Sequence, residues 1–416
     1  MKNQFIVTEV EVHQNQILCY YTIQGNTSWH NCFPKEYSCL EVTYSQSIGD
    51  VPKGVAVIPL LCDVLPIVWL MDAEIVVDEL DQSFYNSIAG FKNGYIKMYP
   101  ELKFGGLVTA KKLISYTYNT EKSAVLFSGG VDAFNTLFSN MAEHPALITL
   151  WGADIACDNE EGWKPVQQQV EETAAKFDLS YYIVRTNFRK IISEATMTNF
   201  VQEKNHALGW WHDFQHGIGI ISHVAPIAYQ YGIGKVYIAS SFTAADTYTC
   251  ASDPTIDNFV RFGNTVVIHD GYEYNRQMKI HNICSYTEEH HVTAPLRVCW
   301  KSTTGRNCCT CEKCYRTMMG VLAEGKDPQK LGFTKYDATV RKNMLHDLRY
   351  GLISKYNKRR YCYIQQRLRE VYTRKNCPND LKWFYRLKFE DTMPHWEKFW
   401  LRCRRKWKRM FGRVGE

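Results

Sequence analysis

At 416 residues, 45 per cent hydrophobic and 22 per cent charged, the chain has the composition of an ordinary folded protein, one large domain with additions or two domains. The net charge of +6 is uneven: eight Lys or Arg against one Glu between Trp396 and Arg413 give a local +7 and leave the other residues near −1. Fifteen cysteines, an odd count without a secretory signal at the N-terminus, argue against a disulfide framework and for reduced thiols in a cytoplasmic protein.

In chain order, residues 1–118 alternate and turn like a strand-rich domain ("FIVTEVEV", "ILCYYTIQ", "VAVIPLL", "AEIVVDEL"), with a helical interlude at "DQSFYNSIAGF". The most apolar window, "GVAVIPLLCDVLPIVWLM", is long enough to span a bilayer. Pro59, Asp63 and Pro66 divide it, so a buried pair of strands is expected instead. Residues 119–336 then repeat strand, turn and helix: "SAVLFS" and "AFNTLFSNMAE", "ALITLWG" and "EGWKPVQQQVEETAAKF", "YYIVRTN", "DFQHGIGIISHVAPIAYQY" and "GKVYIAS". Apolar strands alternating with amphipathic helices predict an α/β fold with a parallel sheet covered on both faces. Residues 337–416 read as a helical extension.

The first strand of that region runs into Ser128-Gly129-Gly130 before a helix begins. A glycine pair there permits a tight turn and leaves amides uncovered at the positive end of the helix dipole, an arrangement that holds phosphate. Asp132 in the first turn can cap the helix or help hold magnesium, whereas the plainer reading is a turn with Ser128 as cap. Neither the Walker pattern nor the dinucleotide pattern is present.

A second motif is "VCWKSTTGRNCCTCEKCYRTM". Cys299, Cys308, Cys311 and Cys314 have the spacing of four thiolates around a tetrahedral zinc, with Gly305 supplying the return turn; an iron–sulfur cluster is the alternative. Four ligands close the site, so the metal is expected to be structural. Cys309 is left over as a buried neighbour or free thiol.

The run "SGGVDA" resembles the SGGxDS/A signature of the PP-loop, or N-type ATP pyrophosphatase, superfamily. Together with the cysteine spacing it is similar to the 7-cyano-7-deazaguanine synthases, the QueC-like ligases, over about residues 120–335. The resemblance implies a Rossmann-like sheet of the adenine nucleotide alpha-hydrolase type and adenylating chemistry that converts ATP into AMP and pyrophosphate. It implies ATP-binding by Ser128, Gly129, Gly130, Val131, Asp132 and Ala133, with Ser128 and Asp132 catalytic, and Trp151 beside adenine or, equally, a core tryptophan. Ala133 stands where the family often has a second serine, and Cys309 where its knuckle has glycine. The purine-reading segment of the synthases has no recognisable copy here.

Weaker candidates for substrate binding are Ser240, Ser241 and Asp246, which follow a strand's carboxyl end. Arg276 and Lys279, three apart, are anion clamps or part of a solvated helix face. His212 and His216 are expected as pocket or core histidines. The tail, residues 396–413, sets Trp396, Phe399, Trp400, Cys403, Trp407, Met410 and Phe411 on one helical face. It suits the inner membrane surface, packing on its own domain or, less well, nucleic acid.

The expected function is an ATP-dependent ligase or amidotransferase using Mg2+ and Zn2+. Its partners are a small or tethered carboxylate and an ammonia or amine donor, in polysaccharide, nucleobase or defence-related modification. A degenerate nucleotide-binding module and a sulfur transferase are the alternatives.

Overall fold

The computed structural model describes residues 2–205, 208–246, 248–353 and 357–389. The aromatic and basic tail lies outside the described residues. Backbone proximity divides the chain into two compact units: the residues up to Glu273 with Thr303–Gly305, and Tyr274–Ser302 with the residues from Arg306 on.

The first unit is built on one mostly parallel sheet of eleven strands. These are β1 (Gln4–Val12), β2 (Gln16–Gln24), β3 (Cys39–Tyr44), β4 (Glu74–Asp81), β5 (Leu107–Ile114), β6 (Lys122–Leu126), β7 (Ala146–Trp151), β8 (Tyr181–Thr186), β9 (Ile233–Ala239), β10 (Arg261–Phe262) and β11 (Thr265–Asp270). Their order across the sheet is β10-β11-β9-β6-β7-β8-β3-β2-β1-β4-β5. From β11 to β8 every neighbour is parallel, as the alternation of strands and helices predicts. The N-terminal strands continue that sheet: β3 pairs antiparallel with β8 through Val42 and Thr186, Thr43 and Arg185, and Tyr44 and Val184. Position 118, expected as a domain boundary, thus falls between two halves of one sheet. Hydrophobic alternation marks a strand but not its partner.

The principal helices of this unit are α1 (Ile58–Leu70), α2 (Gln82–Met98), α3 (Val131–Ser139) and α4 (Glu160–Phe177). Helix α1 corrects the strand pair expected at 54–71. Every residue from Ile58 to Trp69 is buried, so the segment has no polar face to give a helical period. Pro59 lies in the first turn, where an amide has no intrahelical acceptor in any case, and Pro66 is accommodated inside the helix. In a buried strand either proline would remove a ladder hydrogen bond. The polar exception, Asp63, accepts a 2.9 Å hydrogen bond from Gln215, and burial raises its pKa well above the usual carboxylate range. Among the described residues no helix is long and apolar enough to cross a membrane.

The second unit contains α5 (Arg276–Glu289), α6 (Glu312–Ala323) and α7 (Lys358–Val371), which pack against one another.

His223, fully buried beside the end of β8, makes a 2.7 Å hydrogen bond with the Gly219 carbonyl and a 3.0 Å one with Thr186 Oγ1. Burial lowers its pKa from 6.5 to about 4. A depressed histidine contributes stability that is present above pH 6.5 and is lost as the pH falls through about 4. The loss should approach about 3 kcal/mol. Urea midpoints measured between these limits should fall steeply for the wild type and more gently for His223→Gln; equal slopes would show that His223 is not the group responsible.

Candidate functional site

Strand β6 lies between β7 and β9, with Leu126 opposite Ile148 and Val125 opposite Tyr237. Connections leave toward opposite flanks at this point, the topological switch at which open α/β sheets form a crevice outside the strands' carboxyl ends. The Phe127 amide donates to the Ile148 carbonyl at 2.8 Å, and Thr149 Oγ1 donates to the Phe127 carbonyl at 2.6 Å, fixing the exit from β6. The next residues are Ser128, Gly129 and Gly130.

Gly129 has φ +71°, and a Cβ placed on it would lie 2.5 Å from the Gln169 side chain on α4. The dihedral demands glycine, and an added Cβ would also have to displace the end of the Gln169 side chain. Gly130, rather than Ser128, is the N-cap of α3, and as a glycine it offers no side-chain cap of its own. The Gly130 amide instead donates to Ser128 Oγ at 3.4 Å. Ser128 is exposed and Asp132 half-buried in the first turn, whereas Val131 and Ala133 are buried. Any ligand contact by Val131 or Ala133 therefore comes from the backbone.

The register places the ends of β7 and β9 on either side of this turn. Trp151 ends β7; it stacks on Trp163 at 5.3 Å and 3°, carries the Arg185 guanidinium 4.5 Å from its ring centre, and donates to the Ala156 carbonyl at 2.8 Å. These contacts fix its ring within the rim of the sheet. Past β9, Ser240 is buried, its amide donating to the Asp270 carbonyl at 2.8 Å and its hydroxyl to the Phe242 carbonyl at 2.6 Å. Ser241 is exposed. Asp246 accepts from the Thr243 amide and hydroxyl at 2.8 and 2.9 Å, so it shapes its own loop.

His212 makes a 2.9 Å hydrogen bond with the Thr249 carbonyl, and His216 meets Trp211 edge-on at 5.1 Å. His212 lies within a π-helical turn, Trp211–Gln215, and His216 directly follows it; such a departure is often found near functional sites. The sequence reading passed over Gln169 and Arg189. The latter forks onto Glu194 at 2.5 and 2.7 Å, donates to the Ala153 carbonyl at 2.8 Å and lies 4.2 Å from the Trp211 ring centre. No local motif marks either residue.

Arg276 and Lys279 belong to the second unit, in the first turn of α5. Lys279 is only 1 per cent exposed, which excludes the solvated-face reading for it.

The sulfurs of Cys299, Cys308, Cys311 and Cys314 lie within 4.8 Å of one another, the only such metal-binding group among the described residues. Cys299 and Cys311, and likewise Cys308 and Cys314, are 3.9 Å apart. Four thiolates about 2.3 Å from a central zinc are separated by about 3.8 Å, so the tetrad fits that metal. The Cys314 amide donates to Cys311 Sγ and the Thr310 amide to Cys308 Sγ, both at 3.5 Å, and such bonds orient ligands and disperse thiolate charge. Asn307, not singled out by sequence, ties the two arms together. Its Oδ1 accepts from the Val298 and Cys299 amides at 2.9 and 3.2 Å, while its Nδ2 donates to the Leu296 and Gly332 carbonyls at 2.7 and 3.0 Å. Gly305 has φ +67°, as its turn requires. Cys309 adopts φ +56°, a conformation suited to glycine, and its buried thiol, pushed up to about 11 by desolvation, lies outside the tetrad.

No protein-family model matches this chain, and no curated protein matches it. The class that fold and site define is therefore structural: an α/β protein with a glycine turn at its switch point and a four-cysteine site able to bind a metal such as zinc.

Purified protein should carry about one zinc per chain, and Cys311→Ser should reduce this to near zero. Cys309→Gly should retain the metal, while Asn307→Ala should weaken zinc binding by roughly 10- to 100-fold. Competition with a chromogenic chelator distinguishes these outcomes. In the other unit, Gly129→Ala should destabilise by at least about 1 kcal/mol. Combining it with Gln169→Ala should recover the contact part of the loss but not the dihedral part, as read by urea denaturation.

Proposed function

We propose that the protein is an ATP-dependent adenylating ligase of the PP-loop type, related to the QueC-like enzymes. One observation carries this reading: a helix N-terminus with glycine at its N-cap, preceded by a positive-φ glycine, opens at the switch point of a parallel sheet with Asp132 in its first turn. Amide donors and the helix dipole favour phosphate there, and the Asp132 carboxylate is suited to a magnesium ion bridging phosphate oxygens.

In this reading ATP supplies a pyrophosphate leaving group when a substrate carboxylate attacks the α-phosphorus. The backbone of residues 128–133 holds the pyrophosphate, Asp132 holds Mg2+, and ammonia or an amine then displaces AMP. The protein acts mainly by positioning and by neutralising charge on the leaving group. The loop of Ser240, Ser241 and Asp246 borders the substrate end of the crevice, and Trp151 borders the nucleotide end. A closed tetrad of thiolates leaves no coordination position for substrate, so zinc is structural. The carboxylate belongs to a surface polysaccharide precursor, a nucleobase precursor or a protein.

Ala133 favours a second reading, a module that binds nucleotide without turnover. It is 3 per cent exposed and supplies no hydroxyl where the family often does.

One experiment separates the two. Zinc-loaded protein incubated with α-labelled ATP and fractionated cell extract should accumulate AMP and pyrophosphate in an active fraction. Asp132→Ala should lower the rate by about a hundredfold or more while leaving the circular dichroism spectrum and zinc content unchanged. ADP as product, or full activity in the variant, would overturn the ligase assignment.

A further inference from the structure

Three cations lie along the exit from β8, in "VRTNFRK", and they are held in different ways. Arg189 forks onto Glu194, and Lys190 pairs with Asp158 at 2.6 Å. Arg185 forms no ion pair with any described residue. Its Nε donates to the Cys157 carbonyl at 3.0 Å, and its guanidinium carbon lies 4.5 Å from the Trp151 ring centre. The Lys190 hydrogen bond and, less strongly, the Arg185 charge hold the Asp158 carboxyl below its usual range, but the bond to that carboxylate belongs to Lys190. Among the described residues, the two terminal nitrogens of Arg185 have no hydrogen-bond partner, and the residue is exposed.

Neutral groups therefore aim this guanidinium while its terminal N–H groups stay available. Trp151, the residue beneath it, is itself fixed: it lies parallel to Trp163, donates to the Ala156 carbonyl and packs against Ile155, Trp163 and Val166. The register sets Trp151 beside Arg185 at the carboxyl ends of β7 and β8, so both belong to the rim of the crevice. A guanidinium is suited to this arrangement, because it stacks on an aromatic ring and still presents a planar fork to an oxyanion. Holding it in place before binding reduces the ordering cost of recognition.

Strand order limits which oxyanion can meet that fork. Strand β8 is two strands from β6, about 10 Å across the sheet, and the guanidinium lies over the residue that ends the strand between them. In ATP the α-phosphate joins the pyrophosphate to adenosine. With the pyrophosphate at the turn after β6 and the nucleotide end at Trp151, the α-phosphate falls on the side of Arg185.

We propose that Arg185 binds the α-phosphate of ATP through its terminal nitrogens, a role that rests on the adenylating reading. When the acceptor carboxylate attacks, its oxygen bonds to the α-phosphorus as the bond from phosphorus to the pyrophosphate oxygen breaks, and negative charge grows on the non-bridging oxygens. Arg185 neutralises that charge without gaining or losing a proton. Trp151 acts through Arg185 as a positioning residue.

Calorimetry on zinc-loaded full-length protein with AMP and adenosine isolates the α-phosphate, the one group by which these probes differ. The wild type should bind AMP more tightly than adenosine. Arg185→Gln should weaken AMP binding by about tenfold or more and leave adenosine binding unchanged. Arg185→Lys, which keeps the charge without the planar fork, should fall between the two and provides the same test should the glutamine variant fail to fold. Circular dichroism and zinc content identify the folded variants. Equal losses for AMP and adenosine would mean that Arg185 only braces Trp151, and unchanged AMP affinity would mean that it only covers the ring; either result overturns the proposal. Failure of the wild type to bind ATP, AMP or adenosine would instead overturn the adenylating reading, and this role with it.

Discussion

The first unit depends on the enclosure of β6. Residues 123–126 are buried, with a parallel strand hydrogen-bonded on each side. A central parallel strand must be left by a turn and a crossover, because no adjacent edge remains for a hairpin. Gly129 meets this need by adopting a left-handed dihedral beside Gln169, and α3 starts two residues later. Because β7 and β9 flank β6, the loops after Trp151 and Ala239 open beside the same turn. The crevice is thus a consequence of strand order, and Ser128, Asp132, Trp151 and Ser240 share an edge although they are far apart in sequence.

Much of this arrangement was legible in the sequence. Segments such as "SAVLFS", "ALITLWG" and "GKVYIAS" became β6, β7 and β9, because short apolar runs punctuated by glycine and followed by amphipathic helices have few other solutions. Helix α1 was misread because burial on all sides erases the periodicity that separates helix from strand, and its two prolines looked like breaks. The continuity of β3 with β8 was not legible either: residues 42–44 pair with residues 184–186 through a choice of neighbour that neither segment encodes alone.

The candidate sites divide along the same line. The cysteine tetrad was legible because its ligands fall within sixteen residues and zinc geometry restricts their spacing. Asn307 was hidden, since an asparagine beside cysteines has no distinguishing pattern until its four backbone contacts are seen.

The second unit also shows how one feature sets another. Cys311 is the N-cap of α6, its sulfur accepting from the Cys314 amide, and Arg316 follows two residues after Cys314 on the same helix. Fixing those two sulfurs fixes the axis and rotation of α6, and with them the placing of Arg316 3.4 Å from Asn357 Oδ1 at the start of α7. A metal bound by the tetrad would thereby act on the packing of the whole unit through one helix.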